Sequence, residues 1–180
     1  MFEVLRECGA LARVIPELDA LWDDSDAARE AMRVVDAAAL AGATLQARFA
    51  ALARSLYPLA VESLAGRLKA PADCRDLALL AARHANTVLD AAELDAQSVL
   101  DLFNTVDAWR RPERFAELAT AAFAGEPDAG PVQARLERAR AAAAAVKAGE
   151  IAQASKSTTA IRGNVDAARL AAIRQALAEK

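Results

Sequence analysis

Trp109-Arg110-Arg111-Pro112-Glu113-Arg114 is the densest pairing of an aromatic ring with cations in this 180-residue chain. Guanidinium groups make forked hydrogen bonds to phosphate, and an indole stacks on a base or supports a guanidinium, so this is the chemistry of an RNA-binding surface. The same residues have a plainer use, with Trp109 in a core and Arg110 and Arg111 stabilising the carboxyl end of a helix. A second basic group is Arg135, Arg138, Arg140 and Lys147, in which Arg135 and Arg138 share a helical face. Glu137 interrupts that charge, which also fits a solvated helix surface. Lys156-Ser157-Thr158-Thr159 offers hydroxyls and free amides that can hold a phosphate or simply cap a helix.

Catalysis and metal binding have less to work with. His84 is the one histidine, and Cys8 and Cys74 lie far apart with no CxxC or Cys/His spacing. No nucleophile and base can be paired from that set, and a multi-ligand metal site cannot be assembled. We expect both thiols to be reduced and buried, and His84 to be a partly buried polar residue near a helix end. Asp23, Asp24 and Asp26, like Glu93 and Asp95, sit in expected turns and caps. No glycine-rich nucleotide loop occurs, so neither a cofactor nor a metal is expected.

These side chains need a scaffold, and composition points to helices. Hydrophobic residues make up 55% of the chain but aromatics only 4%, and alanine dominates. Alanine has the highest helix propensity, and no segment shows the Val/Ile/Thr alternation of a strand. The fold class expected is all-α. Net charge is −3, so RNA binding would need a local basic patch rather than a global field. The amino terminus is charged from Glu3 and has no signal-peptide core, and no apolar run is long enough to span a bilayer. A cytoplasmic protein without membrane partners is the expectation.

Punctuation divides the chain into helices. The spacing of Val4, Leu5, Cys8, Leu11 and Ala12 predicts a helix over Phe2 to Val14, stopped by Pro16. Ser25 or Asp26 would cap a helix ending near Leu40 before Gly42, and Thr44 would cap the next. Pro58 and Pro71 suit first turns of helices to about Lys69 and Ala85, with a break at Asn86 or Thr87. Asp95 or Ser98 would start a helix to about Phe103, Pro112 one to about Phe123, and Val132 one to about Lys147. Asn164 or Asp166 would cap a last helix to Ala178. Gly125-Glu126-Pro127-Asp128-Ala129-Gly130-Pro131 is the best break, dividing a domain over 1–124 from a tail over 132–180.

Four islands, in order, carry a resemblance to bacterial CCA-adding tRNA nucleotidyltransferases. They are Leu5-Arg6-Glu7-Cys8-Gly9-Ala10-Leu11 with Ile15-Pro16-Glu17-Leu18-Asp19-Ala20-Leu21; Arg48-Phe49-Ala50-Ala51-Leu52; Pro71-Ala72-Asp73-Cys74-Arg75-Asp76-Leu77-Ala78; and Leu102-Phe103 through Val106-Asp107-Ala108-Trp109-Arg110-Arg111-Pro112-Glu113-Arg114-Phe115. The chain resembles the neck, body and tail of that family, whose catalytic head would lie before Met1. The family's run RFAAL-x-HDLGK, part of a metal-binding HD phosphohydrolase domain, corresponds here to Arg48 through Ser55. Arg54 and Ser55 stand for the His-Asp pair, Arg29 for an earlier histidine, and the loop that follows is shortened at Tyr57-Pro58-Leu59-Ala60. A guanidinium has no lone pair to give a metal.

The resemblance therefore implies a degenerate HD region and a chain that is not itself an enzyme. It implies tRNA or another structured RNA as partner, with Trp109, Arg110, Arg111, Arg114, Arg135 and Arg138 as candidate contacts. The alternatives left open are a helical protein-interaction module, pairing with a separate nucleotidyltransferase head or with itself, and a remnant of a truncated gene.

Overall fold

Alanine-rich segments separated by capping residues and left-handed turns are helical throughout the computed structural model, which describes residues 1–155 and 157–178. No strand occurs among the described residues. In chain order the helices are α1 (Phe2–Glu7), α2 (Ala10–Val14), α3 (Pro16–Asp19), α4 (Ser25–Leu40), α5 (Leu45–Ala53), α6 (Pro58–Leu68), α7 (Ala72–Leu89), α8 (Ala96–Thr105), α9 (Pro112–Phe123), α10 (Gly130–Ala144), α11 (Ala148–Ala154) and α12 (Thr158–Ala178). The protein is all-α.

Local chemistry explains most boundaries. Thr44 accepts a hydrogen bond from the Ala47 amide at 3.1 Å, and Asp95 from the Ser98 amide at 2.7 Å, each satisfying a free donor at a helix start. Gly42 ends α4 with φ +70°. The cap of α4 is Asp24 rather than Ser25 or Asp26, because its carboxylate takes the amides of Asp26 at 2.9 Å and Ala27 at 3.3 Å. The opening helix is two pieces. Gly9 at φ +70° turns the chain between α1 and α2, and Val4 and Cys8 are left exposed, so the Cys8 thiol is not buried as expected. Cys74 is buried.

Two other expectations are corrected. Helix α7 runs through Asn86 and Thr87, since Ala85 and Val88 continue its buried face, and His84 lies inside the helix rather than at its end. Helix α12 begins at Thr158, with Ser157 Oγ accepting from the Ala160 amide at 3.2 Å, so Asn164 and Asp166 are interior positions. Of the expected Lys156-Ser157-Thr158-Thr159 group, Lys156 and the side chains of Thr158 and Thr159 lie outside the described residues.

The chain forms two compact units. The first is Met1–Val88 with Ala116–Glu126, and the second is Leu89–Phe115 with Pro127–Lys180. One crossing, after Glu126, falls in the Gly/Pro-rich break at 125–131. The crossings after Val88 and Phe115 lie inside α7 and α9, where a continuing helix leaves no punctuation in the sequence.

In the first unit α4 packs on α5, joined by residues 41–44 as an antiparallel pair. Ala47, Ala50, Ala51 and Ala53 are all buried on α5, small enough to let neighbouring backbones come close. Around them Leu56, Val61, Leu64 and Ala78 form one cluster, and Leu11, Leu18 and Leu52 another. Each buried leucine contributes roughly 1.5–3 kcal/mol over an exposed one. In the second unit α12 packs against α10, α8 and α11. Phe103 is fully buried at the centre of an aromatic group, edge-on to Trp109 at 5.5 Å and to Phe115 at 5.0 Å.

Candidate functional site

The Trp109 segment begins where α8 ends. Val106 donates to the Leu102 carbonyl, and the Ala108 amide reaches back to the Phe103 carbonyl at 2.9 Å, closing a left-handed cap whose turning residue is Asp107, at φ +58°. That turn brings Trp109 back onto the unit's core. Its indole N–H donates to Asn104 Oδ1 at 2.6 Å, and the Arg169 guanidinium lies 4.2 Å over its ring. The ring face that a base would need is occupied by a cation from the same chain. Arg169 Nε is buried with no hydrogen-bond partner among the described residues, and burial pushes the guanidinium below its ordinary pKa while nearby Asp166 opposes the shift.

Arg110, Arg111 and Arg114 lie outside this packing. Arg110 and Arg111 are exposed and Arg114 half-buried. Arg110 Nε reaches both oxygens of Asp107, at 2.9 and 3.1 Å. Asp107 is held below the ordinary carboxylate range first by that hydrogen bond, and further by the positive charges of Arg110, Arg111 and Arg114. Of the three cations only Arg110 touches the carboxylate.

Arg135 and Arg138 have different surroundings. Arg135 is half-buried and donates to the carbonyls of Ala91 at 2.5 Å and Leu94 at 3.0 Å, at the 3₁₀ turn Asp90–Ala92 that precedes α8. Arg138, one turn along α10, is exposed. Arg140 is bound to Glu137 at 2.9 and 2.5 Å.

The first unit holds the other cluster of interest. Arg54, whose side chain is 8% exposed, sits just past the end of α5 and donates to Glu30 at 2.9 Å, to Glu126 at 3.1 Å and to the Ala122 carbonyl. Arg33 braces the same carboxylates, with Glu30 at 2.7 Å on two nitrogens and Glu126 at 3.3 Å, and donates to the Gly125 carbonyl. Glu30 is held below its ordinary pKa by the Arg33 hydrogen bond, against the opposing effect of burial. The Ala122 carbonyl in the last turn of α9 and the Gly125 carbonyl just beyond it thus receive side-chain donors in place of missing amides.

Ser55 is exposed, and Arg29 pairs with Asp26 at 2.7 Å on the surface. His84 is half-buried, with its pKa lowered by burial and by Arg83. Among the described residues no group of three or more His, Cys, Asp or Glu side chains is arranged to hold a metal. No helix among them is long and apolar enough to cross a membrane.

Sequence reasoning did not find Glu30, Glu126, Asn104 or Arg169. Asp107 had a signal, three residues before Arg110, where oppositely charged helical neighbours meet.

The chain is 41% identical to the Multifunctional CCA protein of Cupriavidus necator over 209 positions, covering 96% of this chain and 51% of the relative. The chain is similar to about half the length of that Multifunctional CCA protein. The Multifunctional CCA proteins of Dechloromonas aromatica and Burkholderia cenocepacia are each 40% identical over 98% and 99% of this chain and 52% of their own lengths. The chain thus spans about half the length of the curated relatives it matches, as expected of a carboxy-terminal portion. The match with the Cupriavidus necator protein runs over 209 positions, more than the 180 residues of this chain, so some of those positions have no counterpart here. No family model matches the chain, and no solved structure does.

Proposed function

We propose that this chain is a non-catalytic tRNA- or RNA-binding module related to the carboxy-terminal region of a CCA-adding enzyme. The observation that carries the reading is the grouping of exposed Arg110 and Arg111 with half-buried Arg114 in the turn that follows Asp107, in a chain similar to the Multifunctional CCA proteins. Guanidinium groups there can bind phosphate directly, and exposed Arg138 extends the same chemistry to α10. Trp109 and Arg135 act from behind, since both spend their polar atoms on the second unit's own residues.

The region around Arg54 reads as a degenerate HD site. Its guanidinium, in the place of the family's His-Asp pair, is committed to two carboxylates and a carbonyl. The same reading implies a cytoplasmic location. A protein-interaction role is the second reading, favoured by Tyr57 and Leu59, 85% and 80% exposed beside that loop.

The test is fluorescence anisotropy of labelled tRNA titrated with the purified protein across a salt series, with an RNA duplex as control. Saturable binding that prefers tRNA and weakens with salt is expected. Changing Arg110, Arg111 and Arg114 to alanine together is expected to weaken it by at least about tenfold and to flatten the salt dependence. Absence of binding at low salt would sink the RNA reading and leave the protein-interaction role.

A further inference from the structure

Asp107 occupies a position that glycine ordinarily fills. Its φ of +58° is that of the turning residue in a left-handed helix cap, where a side chain costs backbone energy that glycine avoids. What the side chain does there is visible. Both of its oxygens take Arg110 Nε, at 2.9 and 3.1 Å, and the charges of Arg111 and Arg114 help to hold its carboxyl below the ordinary range. Its own carbonyl accepts from the amides of Arg110 at 3.3 Å and Arg111 at 3.0 Å, so the turn fixes the arginines and the carboxylate in one frame.

By sharing the Arg110 Nε–H between its two oxygens, the carboxylate occupies a donor that a phosphate oxygen would otherwise accept from. We propose that Asp107 is an internal competitor for the phosphate site formed by Arg110, Arg111 and Arg114: it keeps the arginines arranged in the free protein and weakens their hold on an RNA backbone until a phosphate displaces it. This rests on the RNA-binding reading above. The structural cause of the competition is solvent access, because Arg110 is 83% exposed and its pairing with Asp107 is exchangeable rather than locked.

The test removes the carboxylate and keeps the turn. Asparagine tolerates the left-handed region and glycine prefers it, so Asp107→Asn and Asp107→Gly both preserve the cap, and circular dichroism confirms that each folds. Anisotropy with labelled tRNA is then compared among wild type, Asp107→Asn, Asp107→Gly and Asp128→Asn. The last makes the same charge change at an exposed residue of the same unit. Asp107→Asn and Asp107→Gly are expected to tighten binding about two- to fivefold at low salt, beyond any gain from Asp128→Asn. The gain should vanish in an Arg110→Ala background, the signature of a coupled pair.

If the arginine variants weaken binding while the Asp107 variants match wild type or Asp128→Asn, the competitor role is overturned and the RNA reading stands. If neither wild type nor the Asp107 variants bind tRNA at low salt, both fall.

Discussion

Arg54 Nη2 and Glu30 Oε1 meet at 2.9 Å across 24 positions of sequence, joining the end of α5 to the middle of α4. The guanidinium is nearly buried while Glu30 is not, so the energetic weight of the pair rests on the arginine, whose remaining donors go to Glu126 and Ala122. Hydrogen bonds to a charged group are stronger than neutral ones, and breaking them leaves a buried carbonyl unpaired.

Arg54→Ala is therefore expected to destabilise the protein by about 2–3 kcal/mol, read as a lower midpoint in urea denaturation. Arg54→Lys should recover less than half of that, because an ammonium cannot fork across two carboxylates and a carbonyl. A neutral Arg54→Ala would mean that the cluster contributes nothing net.

Gly125 supplies the carbonyl that Arg33 holds, and its φ is +78°. A Cβ added there would stand 2.5 Å from Arg33 Nη1. Gly125→Ala is expected to cost about 1–2 kcal/mol, from the left-handed backbone and from displacing Arg33. Thermal denaturation of the single variant and of Gly125→Ala with Arg33→Ala separates the two contributions.

Acid should act first through His84 and then through Glu17. Burial lowers the pKa of His84, so the protein gives up stability as pH falls below about 6.5, the ordinary histidine value, and the imidazole is forced to charge. Glu17 is held down to about 2 by Arg67, which donates to both its oxygens. Its contribution is full above the ordinary glutamate pKa of 4.5 and is lost between there and about pH 2. Glu17→Gln should flatten the melting-temperature profile between those limits and leave its slope near pH 6 unchanged.

Arg135 and Arg138 should separate by assay. Arg135→Ala leaves the Ala91 and Leu94 carbonyls without donors and should lower the melting temperature, with a loss of about 1–3 kcal/mol. Arg138→Ala should leave stability within about 0.5 kcal/mol and reduce the salt slope of tRNA binding. Reversed outcomes would reassign the two side chains.

The helices were legible because their signals are local. Thr44, Asp95, Pro58 and Pro112 act within a turn of themselves, and each stands at the start of its helix as expected. Asp24 was missed because four polar residues in a row all offer a cap, and only backbone geometry chooses one. The cluster around Arg54 was half legible. Arg54 itself stands out in sequence through the family resemblance, but its partners Glu30 and Glu126 lie 24 and 72 residues away with no spacing rule to announce them. Trp109 shows the same limit from the other side. Its neighbours Arg110 and Arg111 suggest a joint surface, yet the indole is paired with Asn104 and Arg169 instead.

Arg54 also sets how this fold relates to its surroundings. A guanidinium stays charged at any pH a cell reaches, and it arrives on the ribosome with the rest of the chain, in fixed one-to-one stoichiometry. The positive centre between Glu30, Glu126 and the end of α9 therefore cannot be dialysed away, chelated or exchanged for a different ion. The clamp on Glu30, Glu126 and the end of α9 is encoded in the chain and is present as soon as the chain has folded.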